Sequence, residues 1–164
     1  MELHMHSHRL AARTPDWTAA AVSGFAAGAV LMVLELIWAA AVHADDPWAV
    51  THQVAAIAMG QSALQSSGFA IAMVAVALAT HYVLGIVFGL VLAAIIAPFH
   101  LDSSVPMIWA TGILFGVLIY LFDFYGMVGA FPWFAGMRGW STFAAHLVFG
   151  MAAAVFYWQL ERTR

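Results

Sequence analysis

Four long stretches of the chain are almost continuously apolar, and polar residues are concentrated in the segments between them. This pattern predicts helices at about residues 18–42, 68–97, 107–128 and 142–159. A helix needs about 20 mostly apolar residues to cross the hydrocarbon core of a bilayer, and the four stretches meet that requirement, the last one narrowly. The predicted fold is therefore all-α: a polytopic membrane protein in which residues 17–164 form a four-transmembrane-helix bundle.

Two segments outside these helices have patterns of their own. Residues 1–16 form a polar N-terminal tail with alternating histidines, which we interpret as a tail and not as a metal site. After the first span, Asp45, Asp46 and Pro47 form a helix-start signal, because acidic residues and proline favour the first turn. The apolar segment that follows, at about 47–60, is too short to span and predicts a short helix at the outer interface.

The arginines predict how the helices are oriented. Four crossings place both termini on one side of the membrane, and Arg9, Arg13, Arg162 and Arg164 all fall on that side. Arg138 falls on the other side. Cytoplasmic segments carry an excess of Lys and Arg, so both termini are predicted to be cytoplasmic and the protein to lie in a bacterial inner membrane.

The composition agrees with a lipid environment. Of the 164 residues, 65% are hydrophobic and 8% are charged, whereas a soluble domain has about 25% charged residues. The formal net charge of −3 argues against nucleic-acid binding, which needs a basic surface. Cysteine is absent, which excludes disulfides and thiolate metal ligands.

The first two spans resemble the last two, which indicates an internal repeat. The first and third spans align at an offset of 88 residues, and the second and fourth at an offset of 65. These offsets superpose the following pairs: Gly24 and Gly112, Gly28 and Gly116, Glu35 and Asp123, His81 and His146, Gly85 and Gly150. We interpret the bundle as two repeated helix pairs, related by a pseudo-twofold axis along the membrane normal.

Glycines at GxxxG spacing are predicted to pack the helices closely. The motif occurs at Gly24/Gly28, Gly85/Gly89 and Gly112/Gly116. Small residues at this spacing allow two backbones to approach within a membrane. Glu35 and Asp123 follow their motifs by seven residues, which returns to the same helix face. Both carboxylates are therefore expected to point into the bundle.

Glu35, His81, Asp123 and His146 form the candidate site. Counted from the predicted inner helix ends, all four lie about 20–25 Å up, at a rise of 1.5 Å per residue. They are thus predicted to share one layer in the outer half of the membrane. An ionisable group at such a depth is a functional-site hypothesis in itself, because its burial is costly.

Four interpretations of this layer remain open. The acids can accept hydrogen bonds from the histidines and fasten the helix pairs together. The four side chains can bind Zn or Fe. His81 and His146 can be axial ligands of a b-type haem, with Gly85 and Gly150 clearing space for the ring. The acids and histidines can also relay protons. His43 and His52 are candidate outer-rim ligands.

The sequence contains no phosphate-binding loop, nucleophile elbow or kinase signature, so no catalytic residues are assigned and an enzyme is not favoured. The favoured function is a small membrane protein whose carboxylate and histidine site binds a metal or haem or relays protons. The alternative is a non-catalytic accessory subunit of a larger membrane complex, such as a respiratory one. The predicted partners are the lipid bilayer and either a second copy of the chain or other subunits.

Short matches scattered over most of the chain resemble the YagU-like family of small bacterial inner-membrane proteins. They comprise the Gly-rich first span with its late acid, followed by Thr80-His81, Ile86-Val87-Phe88, Pro132-Trp133 and His146-Leu147-Val148. The resemblance implies a polytopic inner-membrane protein and assigns no activity.

Overall fold

The computed structural model describes residues 13–42 and 48–163. This part of the chain is helical and contains no strand. Its α-helices are α1 (Trp17–Val42), α2 (Ala49–Met59), α3 (Ile71–Phe99), α4 (Val105–Leu121) and α5 (Trp140–Arg162). The predicted tail and the acidic helix-start signal lie outside the described residues, apart from 13–16.

Four of these helices are long and apolar enough to cross a membrane: α1, α3, α5, and α4 together with its continuation to Gly129. At most 33% of the residues in the apolar window of each helix are buried within the protein. Large apolar side chains therefore cover the outside of the bundle, among them Ile37, Val83 and Leu118. Such a surface needs lipid as its solvent. The predicted fold class, an all-α four-helix membrane bundle, is confirmed.

The helices pack in pairs. α1 packs along α3, α4 packs along α5, and α1 also contacts α5 and so joins the pairs. Gly24 lies against the carbonyl of Gly85 in the first pair, and Gly112 lies against that of Gly150 in the second. Positions that the repeat superposes therefore make the same backbone contact in both halves.

Gly89 is a packing glycine at which the two halves differ. A Cβ atom on Gly89 would lie 2.5 Å from the carbonyl oxygen of Ala20 and 2.7 Å from Cα of Gly24, so this residue lets α3 approach α1 closely. The offset of 65 places Ala154 at the equivalent position of α5. The GxxxG motif of α3 is therefore GxxxA in α5. In the first half Gly89 packs against Gly24 with no side chain, whereas in the second half the methyl group of Ala154 packs beside Gly112.

Two helix ends differ from the sequence pattern for local reasons. The apolar run suggests that α3 begins at about residue 68, but Gly68 has a φ of 73°, in the left-handed region, and the helix begins at Ile71. α3 then continues past Pro98 to Phe99, because a proline in the last turn disturbs little of the helix before it.

A cluster of charged residues marks one end of the bundle. The Arg13 guanidinium donates hydrogen bonds to Asp102, at 2.5 Å, and to Glu161, at 3.0 Å. These residues lie before α1, between α3 and α4, and near the end of α5. The cluster thus joins both chain ends to the α3–α4 connection, and the hydrogen bond to Asp102 raises the pKa of Arg13.

The inner half of the bundle, defined here as the half next to Arg13, is closely packed. Its fully buried residues are mostly small, and Tyr157 closes the packing near the Arg13 cluster. The buried alanines of this half are Ala19, Ala20, Ala27, Ala93, Ala97, Ala153 and Ala154. Open space therefore lies in the other half.

Candidate intramembrane site

The four sequence-predicted site residues line a single cavity of about 250 Å³. Glu35 comes from α1, His81 from α3, Asp123 from the chain just after α4, and His146 from α5. The two helix pairs therefore contribute one acid and one histidine each. This arrangement follows from the repeat, because the close glycine contacts fix the relative height of the helices within each pair.

The predicted packing glycines lie mostly outside the cavity. Gly28 and Gly85 form part of its wall, whereas Gly24, Gly89, Gly112 and Gly116 do not line it. Gly89 lies one helical turn after Gly85, toward the Arg13 end, and its neighbours are the backbone atoms of α1. It therefore contributes to the contact between α1 and α3 and not to the site itself.

His146 and Asp123 form the closest pair in the cavity. The His146 ring is 7% exposed, and its Nε2 lies 3.6 Å from Oδ2 of Asp123. Its Nδ1 lies 2.8 Å from the carbonyl oxygen of Thr142. A carbonyl can only accept a hydrogen bond, so Nδ1 carries a proton. One further proton can then be bound by this pair, either on Nε2 of His146 or on the Asp123 carboxyl.

His81 has the opposite arrangement. Its Nε2 lies 2.8 Å from the carbonyl oxygen of Gly28 on α1. Nε2 must therefore be the protonated nitrogen, and Nδ1 has its lone pair available in the neutral ring. The bond also joins α3 to α1 across the interface. The two histidines occupy equivalent positions in the repeat, but their hydrogen bonds make them chemically different.

Glu35 has a different environment from Asp123. None of the described residues donates a hydrogen bond to its carboxylate. His81 and His146 are both close enough to interact with it electrostatically. All three side chains line the same cavity.

The remaining wall of the cavity is mainly aromatic. Six phenylalanines line it, and two of them, Phe124 and Phe134, belong to an aromatic cluster with Tyr120. The six are Phe88, Phe122, Phe124, Phe131, Phe134 and Phe149. Gln53, Val54 and Ile57 of α2 line it as well, and the indole of Trp133 donates to the carbonyl of Gln53 at 3.2 Å. The short helix α2 and the α4–α5 connection thus form part of the wall of the site.

A second cavity, of about 680 Å³, lies beside the first. Glu35, Gln53 and Met137 line both. The wall of the second cavity also includes Ser141 and Thr142, and its exposed residues Gly136, Arg138 and Gly139 lie at the end of the bundle opposite Arg13. We call this space the outer vestibule. Glu35 therefore stands at the junction between the vestibule and the first cavity.

A π-helical turn positions Asp123. The pattern predicts a single regular helix over residues 107–128, whereas α4 ends at Leu121 and is followed by a π-helical segment, Phe122–Gly126. Arg138 donates from Nε to the Phe124 carbonyl at 2.7 Å, and its guanidinium lies 4.2 Å from the Tyr125 ring centroid. Such turns often occur at functional sites. The sequence pattern identifies Asp123 as a site residue but does not predict the π-helical turn.

The two candidate outer-rim ligands do not join the site in the described structure. His52 is 3% exposed on α2 but does not line the cavity. His43 lies outside the described residues. Among residues 13–42 and 48–163, no group of three or more His, Asp or Glu is arranged to hold a metal ion. The described residues therefore give no support to a Zn or Fe site. The cavity is also smaller than the roughly 300–1,000 Å³ typical of drug-sized ligand sites, so it gives no support to haem binding.

No protein-family model, curated protein or solved structure matches the chain. The residues around the cavity are therefore the basis for inferring what this membrane protein does.

Proposed function

We propose that the protein is a small inner-membrane protein that binds protons at Glu35, His81, Asp123 and His146 and exchanges them with the outer compartment. The observation that carries this proposal is the position of Glu35, which lines both the outer vestibule and the cavity that contains His81, Asp123 and His146. A carboxylate at that junction can take a proton from water in the vestibule and pass it to an imidazole.

The pair of His146 and Asp123 supplies a place for the proton to reside. The Nδ1 proton of His146 is donated to the backbone carbonyl of Thr142. An additional proton can therefore bind only at Nε2 or at the Asp123 carboxyl, which lie 3.6 Å apart. Histidine is suited to such exchange because its ordinary pKa lies near neutrality. His81 offers Nδ1 as a second acceptor in the same cavity.

The closely packed inner half supports exchange with one side. The inner half is packed mainly with alanines, and its buried hydroxyl groups bond locally: Ser23 donates to the Ala20 carbonyl, and Tyr157 accepts from the Asp16 amide. The proposed site is therefore a proton-binding pocket open to the vestibule and not a continuous proton channel. The positive-inside distribution of arginines supports a cytoplasmic location for both termini, and the resemblance to the YagU-like family supports an inner-membrane location.

Infrared difference spectroscopy of the purified protein tests the proposal. Between about pH 5 and pH 8, where histidines titrate, we expect a carboxyl band that changes intensity in the wild type. Glu35→Gln and Asp123→Asn should each remove part of that band, and the double variant should remove it. Glu161→Gln, which changes a carboxylate in the Arg13 cluster, is the matched control. Spectra that are identical in wild type and double variant would overturn the proposal.

A structural role in a larger complex is the second candidate. It is favoured by the hydrogen bond from His81 to the Gly28 carbonyl, which fastens α3 to α1 without any proton transfer. In that case the polar layer holds the helix pairs together, and the apolar outer surface contacts other subunits. Mild detergent extraction separates the two candidates, because an accessory subunit should co-purify with partners at a fixed stoichiometry.

A further inference from the structure

We propose that the cavity lined by the four site residues binds a small lipophilic cation, namely a single aromatic ring with a compact ammonium group. The inference deepens the proposed proton-binding function, since the cation and the proton would share the same carboxylates. It depends on three properties of the cavity that proton binding alone does not explain: its charge, its aromatic wall and its volume.

The charge of the cavity selects for cations. Glu35 and Asp123 line it, and no arginine is among the described residues of its wall. Arg138 belongs to the vestibule, where its hydrogen bond to Phe124 and its position over Tyr125 hold it in place. The other titratable groups that face the two acids are His81 from α3 and His146 from α5. When both carboxyls are ionised and both imidazoles are neutral, no described side chain of the wall compensates the two negative charges, so a bound cation would take the place of the protons.

The aromatic wall matches the same class of ligand. Six phenylalanine side chains surround the acids. Faces of aromatic rings attract ammonium groups, and such cages are used to recognise quaternary ammonium ions. An apolar pocket with a few convergent polar groups is also the usual form of a small-molecule site.

The volume limits the size of the ligand. An engineered apolar cavity of about 150 Å³ accommodates benzene. The 250 Å³ of this cavity leaves room for one ring and a small head group. Glu35 at the vestibule gives the head group a route of entry past Gln53 and Met137, which line both spaces.

Benzyltrimethylammonium is a suitable probe, and isothermal titration in a detergent without quaternary ammonium groups measures its binding. We expect saturable binding to the wild type. Neopentylbenzene, which replaces the ammonium nitrogen by carbon, should bind at least tenfold more weakly, as should choline, which lacks the ring. Equal binding of neopentylbenzene would overturn the role of charge. Equal binding of choline would overturn the role of the aromatic wall and indicate a lipid head-group site instead.

Variants locate the binding site. Glu35→Gln should weaken binding of benzyltrimethylammonium at least tenfold, Glu35→Gln/Asp123→Asn should abolish it, and Glu161→Gln should leave it unchanged. Absence of binding to the wild type would overturn the inference, and a pH-dependent carboxyl band in the same sample would show that the proton site still stands. Binding of benzyltrimethylammonium without any pH-dependent carboxyl band would support the cation-binding proposal and overturn the proton-binding proposal.

Discussion

The two histidines show how a single backbone contact sets the chemistry of a residue. His146 donates from Nδ1 to Thr142, whereas His81 donates from Nε2 to Gly28. The repeat superposes the two rings, but the partner of His146 lies in its own helix and the partner of His81 lies in the neighbouring one. Equivalent positions in the sequence therefore need not be equivalent in reactivity.

Opposite tautomers are the expected result for the neutral rings. Nitrogen-15 NMR of the protein, assigned with His81→Gln and His146→Gln variants, should place the proton on Nδ1 of His146 and on Nε2 of His81. The reason is that both acceptors are backbone carbonyls, which cannot reverse the direction of the hydrogen bond. Finding the same tautomer in both rings at a pH where they are neutral would contradict the geometry.

Two glycines of the GxxxG motifs have different steric surroundings. A Cβ atom on Gly116 would collide with the His146 carbonyl oxygen and lie 2.8 Å from Cα of Leu147. A Cβ atom on Gly28 would be 3.7 Å from the His81 ring, an ordinary contact. The motif alone does not distinguish them, because spacing identifies the helix face but not how closely the partner helix approaches at each position.

Gly116→Ala is expected to destabilise the protein, whereas Gly28→Ala is not. Forcing extra atoms into a packed interface costs about 1–3 kcal/mol, which exceeds the roughly 1 kcal/mol that alanine gains in helix propensity. Reversible unfolding in mixed detergent micelles, followed by circular dichroism, measures both free energies. The prediction fails if the two variants lose similar stability.

At the scale of elements, the π-helical turn after α4 is the feature that sets Asp123 apart from Glu35. Arg138 holds this turn through the Phe124 carbonyl and the Tyr125 ring. We expect Arg138→Lys to loosen it, since lysine lacks the planar guanidinium that makes both contacts. Amides of residues 122–129 should exchange hydrogen about tenfold faster or more, given about 1.5–3 kcal/mol for a hydrogen bond with a charged group.

Arg162→Lys is the matched control for that measurement. Arg162 also lies over an aromatic ring, that of Trp158, at 4.6 Å, but at the opposite end of the bundle. Its replacement should leave exchange in residues 122–129 unchanged. Unaltered exchange in Arg138→Lys, or equal acceleration in both variants, would show that Arg138 does not hold the turn.

The elements also show how far the sequence alone can be interpreted. Long apolar runs predicted the four-helix fold, because the bilayer sets their minimum length. Two isolated acids and two histidines within those runs sufficed to identify the residues that the structure places around one cavity. The π turn, the carbonyl partner of His81 and the vestibule could not be predicted. They depend on contacts between distant parts of the chain that have no local sequence signature, such as those of Arg138 with Phe124 and of His81 with Gly28.

On the scale of the whole molecule, the Arg13 cluster and the outer vestibule give the bundle two different ends. One end is joined through Arg13, Asp102 and Glu161, and the other contains open space beside Glu35. If the site binds protons as proposed, the end that faces the cytoplasm decides which compartment supplies them. The positive-inside rule predicts that the Arg13 end is cytoplasmic.

Cysteine labelling determines this orientation directly, because the chain has no natural cysteine. Gln61 and Ser103 are both exposed, the first after α2 and the second between α3 and α4. A membrane-impermeant maleimide should label Gln61→Cys on intact cells, and Ser103→Cys only after the membrane is permeabilised. The reverse result would place the vestibule in the cytoplasm and make the cytoplasm the source of protons. Labelling of both on intact cells would contradict the four-crossing topology, because α3 must separate these two positions.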